Sequence, residues 1–177
     1  MYFVINIISC DIRMNICNIA WLLYILRKEV LKLVDRKIIY FEDKEYPLEL
    51  KRLKQPPQHV IGNTELLKGE NTKIAIVGTR KNTEYGKYMA LNFSKKLSAN
   101  GIIVISGLAK GIDSYSHIGA MVEKSKTIAV LPCGLENIYP KENQNLYKII
   151  VENGGLVITE YADRVEADSY KFTERNR

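Results

Sequence analysis

Ile74-Ala75-Ile76-Val77 breaks at Gly78-Thr79-Arg80, and Ile102-Ile103-Val104-Ile105 breaks at Ser106-Gly107-Leu108-Ala109-Lys110-Gly111-Ile112-Asp113. The reading of these paired runs decides the fold. Each is a short apolar stretch without polar alternation, as expected of a strand buried on both faces of a parallel sheet. Each ends in glycines accompanied by a hydroxyl and a cation. In an open α/β sheet the carboxyl ends of neighbouring strands form the crevice where ligands bind. Glycines let a ligand approach the backbone, amides at the following helix starts face outward, and Arg80 and Lys110 add charge. The pattern favours an anion, most simply a phosphate.

Working outward, the chain alternates from Lys73 onward. Strands are predicted over 74–78, 102–106, 127–131 and 156–160. A helix over 84–100 buries Tyr85, Met89, Phe93 and Leu97 and stops at Gly101; a second, capped by Asp113, runs to about Glu123; a third begins at Pro140, buries Leu146, Ile149 and Ile150, and stops at Gly154. Four strands with three intervening helices predict an α/β fold with a doubly wound, mainly parallel Rossmann-like sheet. Upstream, Ile38–Phe41 reads as a short strand, and the proline-punctuated stretch through Asn63 reads as irregular. Ile16, Ile19, Leu23, Leu26, Val30 and Leu33 recur at steps of three and four, predicting an amphipathic helix, packed on its own domain or forming a short coiled coil. The organisation expected is therefore an N-terminal helical segment (1–37), a lead-in (38–72) and a Rossmann-like domain (73–177).

The 177 residues carry a net charge of +6, with 11 basic and 9 acidic side chains in residues 1–72 and 15 and 11 in residues 73–177. This mild basicity permits a polyanionic partner without demanding one. Three cysteines, at 10, 17 and 133, have spacing that suits neither a disulfide framework nor a zinc site, and a cytoplasmic setting is expected. The apolar run near residues 16–26 is too short to span a bilayer, so no membrane role is expected. After strand 74–78 there is no G-x-G-x-x-G run and no acidic residue ends the next strand, and no Walker loop is present; no cofactor is expected.

Candidate binding residues are Gly78, Thr79, Arg80, Ser106, Gly107, Lys110 and Gly111. Arg80 is placed to grip a phosphate, the bland alternative being a surface ion pair. Lys110 adds to the field of the amide nest. The glycines have the alternative role of permitting tight turns, which does not exclude binding; Ser106 is read equally as a phosphate donor or a turn cap. Asp113 reads as a helix cap and His117 as a packed core residue, not as catalysts. Tyr85, Tyr115 and Tyr139 lie nearest the expected crevice as stacking surfaces. No catalytic or metal-binding set stands out.

Together these residues resemble the DNA-processing protein A family (DprA, also called Smf). The resemblance rests on Gly78-Thr79-Arg80, Tyr85-Gly86, the Ser106–Asp113 block, His117, Thr127–Leu131 through Gly134 to Tyr139-Pro140, and Phe172-Thr173-Glu174-Arg175-Asn176-Arg177. It implies a single-stranded-DNA-binding protein of natural transformation that protects incoming DNA and helps load a RecA-type recombinase. By resemblance Arg175 and Arg177 are DNA contacts, and a homodimer belongs to the family. The sequence stops on the arginine motif and carries Thr173 where the family has proline. A truncated chain is therefore expected, with an open sheet edge, a doubtful dimer and a loosely held tail over 163–177. The competing reading is a nucleotide-phosphate-binding enzyme or sensor of the lysine-decarboxylase-like phosphoribohydrolase type. Its glycine motif is matched only by Pro132-Cys133-Gly134.

Overall fold

The computed structural model describes residues 37–62, 64–68, 70–122 and 125–177. The expected N-terminal helix, with Cys10 and Cys17, lies outside them. Six strands form one sheet in the order β1-β2-β6-β5-β4-β3. β3 (Lys73–Ala75), β4 (Ile103–Ser106), β5 (Thr127–Leu131) and β6 (Leu156–Thr159) run parallel. β1 (Ile38–Tyr40) and β2 (His59–Ile61) join antiparallel, with Ile61 opposite Thr159. The stretch expected to be irregular thus contains a strand, too short and too close to Pro56-Pro57 to show periodicity. The lead-in also carries two single-turn helices, α1 (Leu48–Lys51) and α2 (Glu65–Lys68).

Side chains alternate strictly across the sheet. Ala129, Leu131 and Val157 pack with Leu146, Ile150 and Val151 of α5 (Gln144–Glu152) on one face. Ile103, Ile128, Leu156 and Ile158 pack with Ile39, Tyr46 and Leu67 of the lead-in on the other. Two-sided burial explains why these strands read as unbroken apolar runs. The crossover helices are α3 (Glu84–Ala99), α4 (Ile112–Val122) and α5, the last entered through a 3-10 turn over Lys141–Asn143. Observed strand ends fall within a residue or so of expectation except in β3, which ends at Ala75; Ile76 N–H adds one more bond, to Ile105 O at 3.0 Å.

The buried face of α3 differs from the expected one. Ala90, Ser94 and Ser98 are buried, whereas Tyr85 and Phe93 are 72% and 54% exposed. Small residues are selected because α4 passes very close: a Cβ on Gly119 would fall 2.4 Å from Leu91 O. On α5, Val151 is buried in place of Ile149. Beyond β3 no strand follows among the described residues, and the exposed side chain of Val77 marks this edge.

His117 is sealed in the core between α4 and β5. Thr127 Oγ1 donates to Val104 O at 2.7 Å, so His117 Nδ1–H donates to Thr127 Oγ1 at 2.9 Å; Nε2 has no partner among the described residues. Burial without a counter-ion pulls the imidazole down to about 3. The unfolded chain therefore takes up this proton first. The stability this supplies is complete above about pH 6.5 and is lost as pH falls toward 3. Between pH 6.5 and 4.5, above the onset of the carboxylates that folding acidifies (Glu45, Glu142, Asp168), the unfolding free energy should fall by about 1.4 kcal/mol per pH unit from this group. Denaturant titrations across that window check this; His117→Gln should flatten the slope, and an unchanged slope would contradict the assignment.

Candidate nucleic-acid interface

The carboxyl ends of β3–β6 open into a cleft of about 750 Å³, closed on one side by Leu50, Leu53 and Pro57 of the lead-in and on another by α6 (Ser169–Arg175). Its floor is apolar, from Ile105, Val130 and Ile158; its rim carries Arg80, Arg175 and Arg177. Of the expected site residues, Gly78, Arg80, Ser106, Gly107, Arg175 and Arg177 line it, whereas Thr79, Lys110 and Gly111 stand beside it.

The two glycine loops interlock, which explains their glycines. Gly111, at φ +80°, lets Ile112 N–H reach Thr79 O at 3.2 Å; a Cβ there would meet Thr79 O at 2.3 Å. A Cβ on Gly78 would sit 2.7 Å from Ile112 Cγ1. Gly107 leaves room for Arg175, whose Nη1 donates to Gly107 O at 2.9 Å and Val130 O at 2.7 Å; a Cβ at 107 would lie 2.0 Å from that nitrogen. Burial lowers the Arg175 pKa, with Asp113 opposing that shift.

The chain supplies its own counter-charges to most of the expected anion site. Asp113 lies in the first turn of α4, and its carboxylate accepts from Gly107 N–H at 3.2 Å and Ala109 N–H at 3.4 Å. Those amides point inward, not outward as expected. Lys110 Nζ donates to Glu142 Oε1 at 2.6 Å, holding that carboxyl below the usual range. Ser106 caps no turn, and its hydroxyl is already engaged: it donates to Ile76 O at 2.7 Å, pinning the end of β3 to β4. Thr79 Oγ1 closes a local turn by accepting from Lys81 N–H at 3.1 Å. Arg177 grips Glu160 with both Nη atoms, at 3.0 and 2.6 Å, and donates to Gln55 O at 2.8 Å.

Arg80 differs. It is exposed, pairs with no carboxylate among the described residues, and lies over the Phe172 ring at 4.6 Å. Tyr139 meets the same ring edge-on at 5.7 Å. Phe172 is thus the aromatic centre of the site. The sequence shows it only as part of the Phe172–Arg177 motif, although its i,i+3 spacing from Arg175 on a helix signals a shared face. Of the other tyrosines considered, Tyr85 is exposed and Tyr115 carries Lys87 Nζ at 5.4 Å from its ring.

The tail expected to be loose is packed. Asp168 caps α6 by accepting from Lys171 N–H at 3.0 Å, Arg175 and Arg177 anchor it as described, and Tyr161 donates to Glu174 at 2.8 Å. Polar anchors on backbone carbonyls replace the apolar burial that the tail lacks.

Residues 37–177 match the family model described as DNA recombination-mediator protein A. The chain is 34% identical over 152 residues to protein Smf of Borreliella burgdorferi, covering 86% of this chain and 48% of that protein. It is 34% identical over 140 residues to DNA processing protein DprA of Bacillus subtilis, covering 78% and 47%. Among solved structures, DprA of Streptococcus pneumoniae superposes with a TM-score of 0.72 at 34% identity, covering 80% of this chain and 49% of that one. DNA processing protein A of Helicobacter pylori, described for its single-stranded DNA binding mode, gives 0.69 at 32% identity, covering 80% and 63%. The chain spans about half the length of the curated relatives it matches.

Gly107→Ala should displace the Arg175 guanidinium and cost about 1–3 kcal/mol of stability. Hydrogen exchange should show lost protection over residues 169–177 before the sheet is affected. Unchanged protection there would mean that Arg175 does not anchor α6.

Proposed function

The chain belongs to the DNA recombination-mediator protein A family, and from that premise we propose that its cleft binds single-stranded DNA, with a phosphate at Arg80 and a base against Phe172. The observation that carries the reading is the Arg80–Phe172 pair. It is a cation with no paired carboxylate among the described residues, seated on an aromatic face at the mouth of an apolar-floored cleft. Binding of this kind is sequence-tolerant and salt-sensitive, because phosphate contacts and stacking do not read base edges. For the whole protein, the family supports protection of incoming DNA during natural transformation and assistance to a RecA-type recombinase.

A binding role is favoured over catalysis by how the reactive side chains are engaged. Ser106 donates to a carbonyl, Asp113 accepts from two amides, and His117 is enclosed. The Pro132–Gly134 loop, the one echo of a phosphoribohydrolase motif, is packed beneath residues 162–165: Gly134 N–H donates to Val165 O at 2.9 Å. Cys133 is buried, and that burial pushes its thiol up. Neither the glycine nor the thiol of that loop is open to a nucleotide.

Fluorescence anisotropy with a labelled oligothymidine at low and moderate salt tests the proposal. Arg80→Ala should weaken binding by about tenfold and reduce the salt slope by about 0.7, without altering the far-ultraviolet dichroism. Lys110→Ala should cost less, since Lys110 already holds Glu142. Salt-independent binding, or wild-type affinity in Arg80→Ala, would overturn the reading.

A further inference from the structure

Two residues of the expected apolar face of α3, Tyr85 and Phe93, are on the outside of the molecule, and Tyr88 joins them. Tyr85 and Tyr88 are 72% and 62% exposed. Asn92 and Lys96 share the side of the helix that carries Tyr85 and Tyr88, so that the four residues fall within about a third of its circumference and rise roughly 16 Å along it. Asn92 Nδ2 donates to Tyr88 O at 2.8 Å, which leaves its carbonyl outward. The one carboxylate on α3, Glu84, lies 3.6 Å from Lys87 Nζ and is offset by it. Arg80 and Lys81 precede the helix, and Thr83 caps it by accepting from Gly86 N–H at 3.1 Å. The face therefore starts where the Arg80 side of the cleft ends.

Two large aromatic rings left in water, with Lys96 further along the same side, are not explained by packing, because the buried side of α3 is made of small residues. A bilayer surface or an apolar protein groove would select a continuous aliphatic stripe, whereas this side carries phenol rings followed by an amide and an ammonium group. We propose that the solvent face of α3 is a second single-stranded nucleic-acid contact, on which bases stack against Tyr85 and Tyr88 while Lys96 holds a following phosphate. It takes strand that leaves the cleft past Arg80. The inference rests on the cleft binding single-stranded DNA and extends that contact beyond it.

The experiment compares oligothymidines of about six and about twenty nucleotides, the shorter sized for the cleft and the longer for cleft and helix together. Arg80→Ala should weaken both. Tyr85→Ala and Tyr88→Ala should each weaken the longer one by about fivefold or more and leave the shorter near wild type, with the Phe variants at both positions retaining affinity because the ring remains. Lys96→Glu should produce the same length-dependent loss, which separates lost contacts from a misfolded helix. Equal loss on both lengths would place the tyrosines at the cleft and overturn the second contact. So would wild-type affinity of the Ala variants for the longer oligomer; loss of self-association in those same variants would then assign the face to a protein partner. Failure of Arg80→Ala to weaken the short oligomer would instead sink the cleft itself.

Discussion

The seat of Arg175 on Gly107 O and Val130 O is the interaction on which the rest of the site depends. A guanidinium has five donors and cannot shed its proton at any ordinary pH, so burying it demands acceptors in a fixed geometry. Two backbone carbonyls at the carboxyl ends of neighbouring strands, β4 and β5, provide them. This docking carries α6 to the crevice and with it Phe172, one helical turn earlier. Remove the carbonyl geometry and the cleft loses a wall; widen Gly107 by one carbon and the seat is filled.

The loops around that seat are neutralised from within. Asp113 occupies the amides that a phosphate-binding nest would present, Glu142 occupies Lys110, and Glu160 occupies Arg177. The exposed Lys110–Glu142 pair contributes little to stability and is readily exchanged for another anion. Asp113 is different: it is buried and bonded to two amides, so its role is to shape the loop. Arg80 lies over an aromatic face and pairs with no carboxylate among the described residues, and it marks the point where an incoming phosphate meets least competition.

How far the sequence could be read follows from which physical signal each element carries. β4, β5 and β6 are covered on both faces, so their apolar runs are continuous and legible, and Gly78 and Gly107, visible after the runs of β3 and β4, line the cleft. β2 was hidden, because three residues beside two prolines have no period to detect. The face of α3 was misjudged because aromatic residues at helical spacing look like a core stripe, whereas close approach to α4 selected Ala90, Ser94 and Ser98. At the site, residue types and positions were visible and their partners were not. Ser106, Gly107 and Asp113 serve one another and the backbone, through pairings of residues distant in sequence that only the folded loops bring together. The firm hold on α6 was missed for the same reason: its anchors are carbonyls, which every sequence contains.

The claim at the centre of this account is that single-stranded DNA enters the cleft at the carboxyl ends of the sheet, between the Arg80 loop and α6. Photocrosslinking of a halogenated oligothymidine, followed by peptide mapping, tests it most directly. The account predicts crosslinks concentrated in residues 78–81 and 169–177, with Phe172 the principal site. Crosslinks confined to the β1–β2 face, or spread evenly over the surface, would contradict it.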